Sequence, residues 1–301
     1  MAHLGTVGTA TASSTTTSLA ITLTDDVPVG ATILVSIAWD APSPGGVPTI
    51  ASVVDSSGNT WTTTPDVSID SGVTVAVAVL RTLVETQLDD GDTITVTISG
   101  DARGRWAMQA DAYDDIVDTS PLDETSANAG SASSLTTGQT GETSTPHTLL
   151  YAAFGFGGGR DVTIPVGWTG GPKVETSAGS GNRALQVIHR YVAATDEYEA
   201  TLGLSSSSTY AAVLAAYAYT PPVPEDPVAD IAQVKLEAPN PGVAPVAHIS
   251  QVALDAPQGA LGAVHVAQVA LQTPAGEGQP YTGLKIARDG GWWNVGVHVL
   301  G

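Results

Sequence analysis

The sequence predicts an all-β protein: a duplicated, jelly-roll-like β-sandwich, then a proline-rich linker, then a C-terminal assembly segment of β repeats and a hairpin. Three observations predict this order. Short segments in which Thr, Val, Ile, Ala and Tyr alternate are separated by turn clusters rich in Gly, Asp and Ser. Parts of the region 1–220 resemble one another, and one short strand occurs three times in the last quarter of the chain.

The region 1–220 contains the alternating segments, and Gly-rich and Asp-rich clusters such as 55–59, 89–92 and 157–159 interrupt them. Alternation with a period of two is the pattern of a strand with one buried face. The predicted strands are residues 18–24, 31–39, 49–54, 73–83, 92–99, 105–114, 147–155, 183–193, 198–204 and 210–219.

A duplication is visible within this region, with halves of about 1–118 and 119–220. Matching segments keep their order and a similar separation: 32–39 with 148–155, Trp61 with Trp168, 77–81 with 186–190, and 106–113 with 210–217. Two such halves make one jelly-roll-like sandwich or two tandem immunoglobulin-like sandwiches. The sequence favours the single two-sheet jelly roll, because the second half lacks a clear leading strand.

The segment 221–227 is predicted to be a linker. Four of its seven positions are proline, which favours an extended, semi-rigid spacer.

The segment 228–275 contains three near-copies of one strand, which begin at positions 231, 249 and 266: Ile231-Ala-Gln-Val-Lys-Leu-Glu-Ala-Pro239, Ile249-Ser-Gln-Val-Ala-Leu-Asp-Ala-Pro257 and Val266-Ala-Gln-Val-Ala-Leu-Gln-Thr-Pro274. A unit this short cannot bury a core alone. Its consistently apolar face is predicted to be an assembly interface, formed by Val234, Leu236, Val252, Leu254, Val269 and Leu271. Burying three Val–Leu pairs contributes on the order of 10 kcal/mol before ordering entropy is subtracted. Strand exchange or stacking between subunits is favoured over a further small sheet packed on the main domain.

The segment 276–301 is predicted to end in a β-hairpin with Gly290-Gly291 at its turn. Adjacent strand residues point to opposite faces, so at least one of Trp292 and Trp293 is expected to contact a partner and to belong to the assembly interface. A sugar-stacking platform is the alternative.

These C-terminal motifs resemble those of tailed-phage virion proteins. The repeats are similar to Val-Ser-Gln-Val-Ala-Leu-Glu-Val-type repeats, and Leu284-Lys-Ile-Ala-Arg-Asp-Gly-Gly-Trp-Trp293 is similar to the Lys-Val-x-x-Gly-x-x-Trp-Val endings of minor tail proteins. The resemblance covers the last quarter of the chain. It implies a non-enzymatic virion structural protein, assembled in the host cytoplasm as a homo-oligomer, with a trimer favoured, alongside other virion proteins. A minor tail or tail-tip component is expected first; a capsid decoration or head-fibre protein and a carbohydrate-binding adhesin that recognises a host-surface glycan are the alternatives.

Charge and motif content exclude several classes of protein. The chain has 10 Lys and Arg against 30 Asp and Glu, a formal charge of −20 that repels phosphate backbones and anionic lipids, so no nucleic-acid or membrane partner is expected. It has no cysteine, no signal-peptide pattern and no apolar run of membrane-spanning length. It also lacks the common hydrolase, P-loop and dinucleotide-binding motifs, so no catalytic residue, cofactor or metal is expected.

Isolated polar and aromatic residues are expected to have structural roles. Solvated turns account for the acidic clusters Asp25-Asp26, Asp89-Asp-Gly-Asp92, and Asp111 with Asp114-Asp115, with calcium binding as the alternative. His147 and His189 are placed in core strands. His248 and His265 share one repeat position, where backbone bonding is favoured over a metal or pH-sensing column. Core packing is expected for Trp39, Trp61, Trp106 and Trp168.

Overall fold

The computed structural model describes residues 3–40, 49–72, 74–99, 104–177 and 182–221, and the backbone of five short strands between 234 and 295. All regular secondary structure within these residues is β-strand, so the all-β prediction is confirmed. The chain divides into two compact units, Met1–Pro222 and Val223–Gly301.

The first half of unit one forms two antiparallel sheets. One has the order β1-β8-β3-β6-β5 and the other β2-β7-β4. The strands are β1 His3–Ala12, β2 Ser18–Thr22, β3 Thr32–Asp40, β4 Ile50–Asp55, β5 Val67–Asp70, β6 Val75–Leu83, β7 Thr93–Ile98 and β8 Trp106–Tyr113. A buried core lies between the sheets and contains Trp39 and Trp106, whose ring centroids are 6.0 Å apart.

The second half forms a single sheet, and its four long strands repeat the order of β1, β8, β3 and β6. Its sheet has the order β9-β15-β10-β14, and β12 and β13 both pair with β14. The strands are β9 Leu122–Thr136, β10 Thr148–Gly157, β11 Val162–Thr163, β12 Thr169–Gly170, β13 Val174–Glu175, β14 Arg183–Val192 and β15 Thr201–Ala218. The start of β15 pairs with β11 and with the end of β9, and a register shift follows Gly203. These segments help to enclose the core of this half, which includes Phe154 and Leu202.

A third apolar cluster joins the two halves face to face. Alternate side chains of each central strand contribute to it: in β8, Met108 and Ala110 face the first core, whereas Ala107 and Tyr113 belong to the joining cluster. β8 packs near β14, β3 near β10, and β6 near β15. The strands of one sheet thus face those of the other in reverse order. Two copies related by a two-fold rotation, as in an isologous dimer, produce this arrangement.

The strand pairing of the first half recurs in the second half, and it shifts two of the predicted alignments by one residue. Thr32 pairs with Tyr113, and Leu149 pairs with Tyr217, so Thr32 corresponds to Leu149 rather than to Thr148. By the same pairing, Trp39 corresponds to Phe156. In β6 and β14, equivalent residues lie 108 positions apart in the sequence, instead of the 109 of the predicted alignment. Ala76 pairs with Trp39, and Ala184 pairs with Phe156. One residue of slip reverses the faces of a strand, so only the shifted alignment places equivalent residues in equivalent cores.

The sequence favoured one two-sheet sandwich shared by both halves. The structure differs from this expectation, because each half has a core of its own. The second half also has a leading strand, β9, which pairs with β15 as β1 pairs with β8. β9 escaped prediction because its sequence consists mostly of small and polar residues and lacks apolar alternation. The predicted strands 198–204 and 210–219 overlap the single long strand β15, in which the intervening positions 205–208 are all serine.

Unit two contains β16 Val234–Leu236, β17 Ala253–Leu254, β18 Val266–Gln268, β19 Leu284–Arg288 and β20 Gly291–Val295. The sheet β16-β19-β20 is antiparallel, and β17 pairs antiparallel with β18. Arg288 pairs with Gly291, so Gly291 is the first residue of β20 rather than part of the predicted two-residue turn.

Candidate functional site

The predicted assembly residues fall partly on the strands of unit two. Val234 and Leu236 lie in β16, Leu254 lies in β17, and Trp292 and Trp293 lie in β20. Val252, Val269 and Leu271, like His248 and His265, lie outside the described residues.

The strand register aligns several of the apolar positions of unit two. Val234 pairs with Ile286, which pairs with Trp293. Leu236 pairs with Leu284, which pairs with Val295. Directly paired residues occupy the same side of a sheet, so these two rows lie on one face.

Repeat copies two and three pair with each other, and Leu254 lies opposite Val266. Copy one instead pairs with β19, which forms the C-terminal hairpin with β20. The repeated sequence is therefore used both between copies and against the hairpin.

The acidic turns have structural roles in the first half. The Asp92 carboxylate accepts a hydrogen bond from the Asp89 amide at 2.9 Å, and the Asp26 carboxylate accepts one from the Asp90 amide at 2.8 Å. Among the described residues, no group of three His, Asp or Glu side chains is placed to hold a metal ion.

Asp111 differs from the solvated turn residue that the sequence suggested. It lies on the side of β8 that faces the second half and is 2% exposed. Its carboxylate accepts hydrogen bonds from the Thr6 hydroxyl at 2.7 Å, from the Tyr151 hydroxyl at 2.8 Å and from the Gln109 amide at 2.9 Å. Ser36 extends this network through the Tyr151 hydroxyl, 2.8 Å away. Charged groups are buried only where hydrogen bonds replace water. The three donors supply these bonds to Asp111, which is therefore the centre of a buried polar network.

Histidine and tyrosine rings pack beside this hydrogen-bond network. The His189 ring lies 4.4 Å from His3 and 5.8 Å from Tyr113, measured between centroids. Burial, with a smaller contribution from His3, lowers the pKa of His189 to about 4, so its imidazole is neutral at pH 7. Burial, together with the charge of Asp114, raises the pKa of Asp115 to about 6.

His189 lies in a core strand as predicted, whereas His147 precedes β10 with a φ of 73°. That value lies in the left-handed region, which few residues other than glycine adopt.

The symmetry-related end of the joining cluster has a different chemistry. Arg81 occupies the position that corresponds to His189, and its Nε is 2.9 Å from Asp66. The hydroxyl of Tyr217, the counterpart of Tyr113, donates to the same carboxylate at 2.9 Å. The duplicated halves have therefore diverged at their contact.

The predicted core role of the four tryptophans is confirmed. Trp39 and Trp106 are fully buried, and Trp61 and Trp168 are partly buried against the cores of the first and second half, respectively. Trp61 also donates from Nε1 to the Asp55 carboxylate at 2.7 Å.

A polar cavity of about 300 Å³ is lined by residues of both halves, including Arg105, Arg160 and Arg183. Arg183 is 9% exposed, and its Nε lies 2.7 Å from the Asp40 carboxylate. Arg105 Nη1 lies 3.7 Å from the other oxygen of the same carboxylate. Backbone carbonyls of Gly157 and Ser207 accept hydrogen bonds from Arg160.

Sequence reasoning missed this cavity because its arginines are distant in the chain and follow no spacing rule. The signal in the sequence was the small number of basic residues. The chain has only ten Lys and Arg, and three of them line this one cavity. The Asp111 network also had a signal, since Gln109 and Asp111 interrupt a strand that is otherwise apolar and ends at Tyr113.

The fold of unit one defines an all-β protein with duplicated, stacked antiparallel sheets. No family model, curated protein or solved structure matches the chain. None of the described residues forms a helix long and apolar enough to cross a bilayer.

Proposed function

We propose that this protein is a non-enzymatic structural component of a tailed-phage virion, and that within the virion it is a minor tail or tail-tip protein. Its C-terminal strands assemble with further copies, a trimer being favoured, and with other virion proteins, while unit one is displayed.

The observation that carries this proposal is the repeated strand of unit two. Three copies of one sequence, each with an apolar Val–Leu face, form strands of only two or three residues in the described regions. Such short strands supply few ladder hydrogen bonds of their own, and exposed strand edges are templates for pairing with another chain. Coverage by sister subunits satisfies both the apolar face and the edges.

The strand order of unit one supports a role on a particle by analogy. The order β1-β8-β3-β6 in one sheet, facing β2-β7-β4 in the other, resembles that of an eight-stranded jelly roll, except that β5 pairs with β6 in the first sheet. We infer that the first half is a variant of this fold, and that the sheet of the second half repeats its first sheet. Jelly rolls are common in viral capsid proteins and in lectins. The fold alone does not assign a function, so this support is secondary to the repeats.

Light scattering on the full chain after size-exclusion chromatography tests the proposal. The expected result is a discrete oligomer that Leu236→Asp converts to monomer, because a carboxylate cannot be buried unpaired in an apolar interface. The matched control is Lys235→Gln, which changes the charge by the same amount at the adjacent, opposite-facing position of β16.

Two results would overturn the assembly role. One is a wild-type chain that is monomeric at all concentrations and does not bind to particles lacking it. The other is an oligomer that persists unchanged in Leu236→Asp and in the double variant Leu236→Asp with Leu254→Asp.

A further inference from the structure

The arginine-lined cavity is an exception to the charge of the molecule. The chain has a formal charge of −20, yet three of its ten basic residues converge here. The carboxylate that pairs with them is that of Asp40, 2.7 Å from Arg183 and 3.7 Å from Arg105. One carboxylate balances one guanidinium, so the cavity and its counter-ion have a net positive charge of about two.

Two of the three guanidinium groups, those of Arg160 and Arg183, are held by hydrogen bonds before any ligand arrives. Arg160 donates from Nη1 to the carbonyl of Gly157 at 2.8 Å and from Nη2 to that of Ser207 at 2.9 Å. Arg183 donates from Nε to the carbonyl of Thr74 at 3.0 Å. These bonds fix the two side chains, so their remaining N–H groups lose little conformational entropy when they bind a ligand.

Arg105 is more accessible than Arg183, with 43% of its side chain exposed against 10%. It adopts a φ of 55°, a left-handed conformation that is uncommon for a residue with a long side chain. Such a conformation persists only where the surroundings over-determine it, and it occurs often at ligand-binding positions. It presents the guanidinium at a cavity that is also lined by Thr74 and Thr209.

We propose that this cavity binds a small oxyanion: the carboxylate, phosphate or sulfate group of a compact ligand. Guanidinium groups bind such groups through paired, charge-assisted hydrogen bonds. The volume of about 300 Å³ lies at the lower end of ligand pockets, which fits a free anion or one acidic sugar residue. The site lies in unit one, so it does not depend on assembly through unit two.

Isothermal titration calorimetry of the full chain tests the site with three probes: inorganic phosphate, sulfate and galacturonate. Ionic strength is held constant with chloride, which separates specific binding from general salt effects. The expected result is saturable binding of at least one probe at one site per chain. Arg105→Gln is expected to weaken it about ten-fold, the loss of about 1.4 kcal/mol typical of one charge-assisted bond.

Two further variants make the test specific. Arg190→Gln removes an exposed arginine of β14 that does not line the cavity and is expected to bind as the wild type does. Arg105→Lys keeps the charge but loses the planar fork, so an intermediate affinity is expected. Melting curves confirm that each variant is folded.

The probes also distinguish the source of the anion. Tighter binding of galacturonate than of phosphate indicates a carboxylate-bearing sugar, and the reverse order indicates a phosphate or sulfate group. The proposal is wrong if none of the three probes gives saturable binding at concentrations up to about 10 mM, or if Arg105→Gln and Arg190→Gln bind equally to the wild type.

Discussion

Unit one and unit two of this protein use β-strands in opposite ways. Unit one buries three apolar clusters under strands of up to 18 residues. The described strands of unit two are two to five residues long, although their sequences carry a repeated apolar face. Unit one has buried cores of its own, whereas the short strands of unit two fit the proposal that another chain completes them.

The comparison also shows how duplication was used in each unit. In unit one, two copies pack face to face, and their contact became asymmetric through the Asp111 network at one end and Arg81–Asp66 at the other. In unit two, the three copies keep the same Gln, Val, Leu and Pro at four of their nine positions. An internal contact between two fixed copies can diverge, whereas a surface that must bind several equivalent neighbours is expected to stay uniform.

If this division is correct, substitutions in unit one change its stability and leave the assembled mass unchanged. Asp111→Ala gives the largest effect, a loss of about 4 kcal/mol in the free energy of unfolding, because the Tyr151, Thr6 and Gln109 donors lose their acceptor. Urea denaturation measures it, and Asp118→Ala, at an exposed acidic residue nearby, is the control.

The second half supplies a sharper version of this test. Its counterparts of Gln109 and Asp111 are Val213 and Ala215. Adding Gln109→Val to Asp111→Ala is expected to recover part of the loss, since it removes one of the stranded donors. Strictly additive losses would contradict the network.

The next effect is a pH dependence. The pKa of His189 falls from its usual 6.5 to about 4 in the folded chain, so the unfolded state takes up a proton first as the pH drops. Wild-type stability therefore decreases by about 3 kcal/mol between pH 6.5 and pH 4 through this group. His189→Gln is expected to lose that decrease, so its stability relative to the wild type rises on acidification in urea titrations at pH 7 and pH 4.

Asp115 opposes His189 within the same range. Its pKa rises from 3.8 to about 6 on folding, so its contribution to stability is present at low pH and is lost as the pH rises through 6. Asp115→Asn is expected to steepen the acid decrease of the wild type. A parallel profile for His189→Gln, Asp115→Asn and the wild type would show that neither group titrates differently on folding.

A smaller effect is expected from Gly155→Ala at the contact between the halves. An added Cβ would lie 2.5 Å from Val77 Cγ2 and 3.1 Å from Ala38 Cβ, so the packed strands must shift. Overpacking of this kind costs about 2 kcal/mol in thermal or urea unfolding. Val77→Ala in the same chain is expected to relieve part of that cost, and a double variant that is no more stable than the additive sum would contradict this packing.

The smallest effect compares the two partly buried tryptophans of unit one. Trp61→Phe loses the bond from Nε1 to Asp55 and is expected to cost about 1 kcal/mol more than Trp168→Phe. No carboxylate within the described part of the chain accepts a hydrogen bond from Trp168 Nε1, so Trp168→Phe is the matched control. Equal losses in the two variants would contradict this difference.

The predictable parts of the fold were those with a local signal. Alternating apolar residues identified strands such as β3, β8 and β14, and the order of the duplicated segments was evident as well. β9 gave no such signal, because an edge strand of small and polar residues has no apolar face to detect. The one-residue slip between β3 and β10 was also hidden, because apolar residues fill both faces of a strand buried between two cores.

The candidate sites divide in the same way. The proposed assembly face rests on a signal in the sequence, because its apolar positions are repeated along the chain. The arginine-lined cavity could not be inferred in this way, because Arg105, Arg160 and Arg183 come together only when the two halves pack. Asp111 was misassigned as a turn residue because its burial depends on the second half, and its partners Thr6 and Tyr151 lie 105 and 40 positions away in the sequence.

Hydrogen–deuterium exchange of the full chain at several concentrations tests the division between the units most directly. We predict that protection of the amides in β16 to β20 rises with concentration, in parallel with the assembled mass, while protection in β3, β8, β10 and β15 stays constant. Rising protection confined to unit one, or constant protection of β16 to β20 while the mass increases, would contradict assembly through unit two.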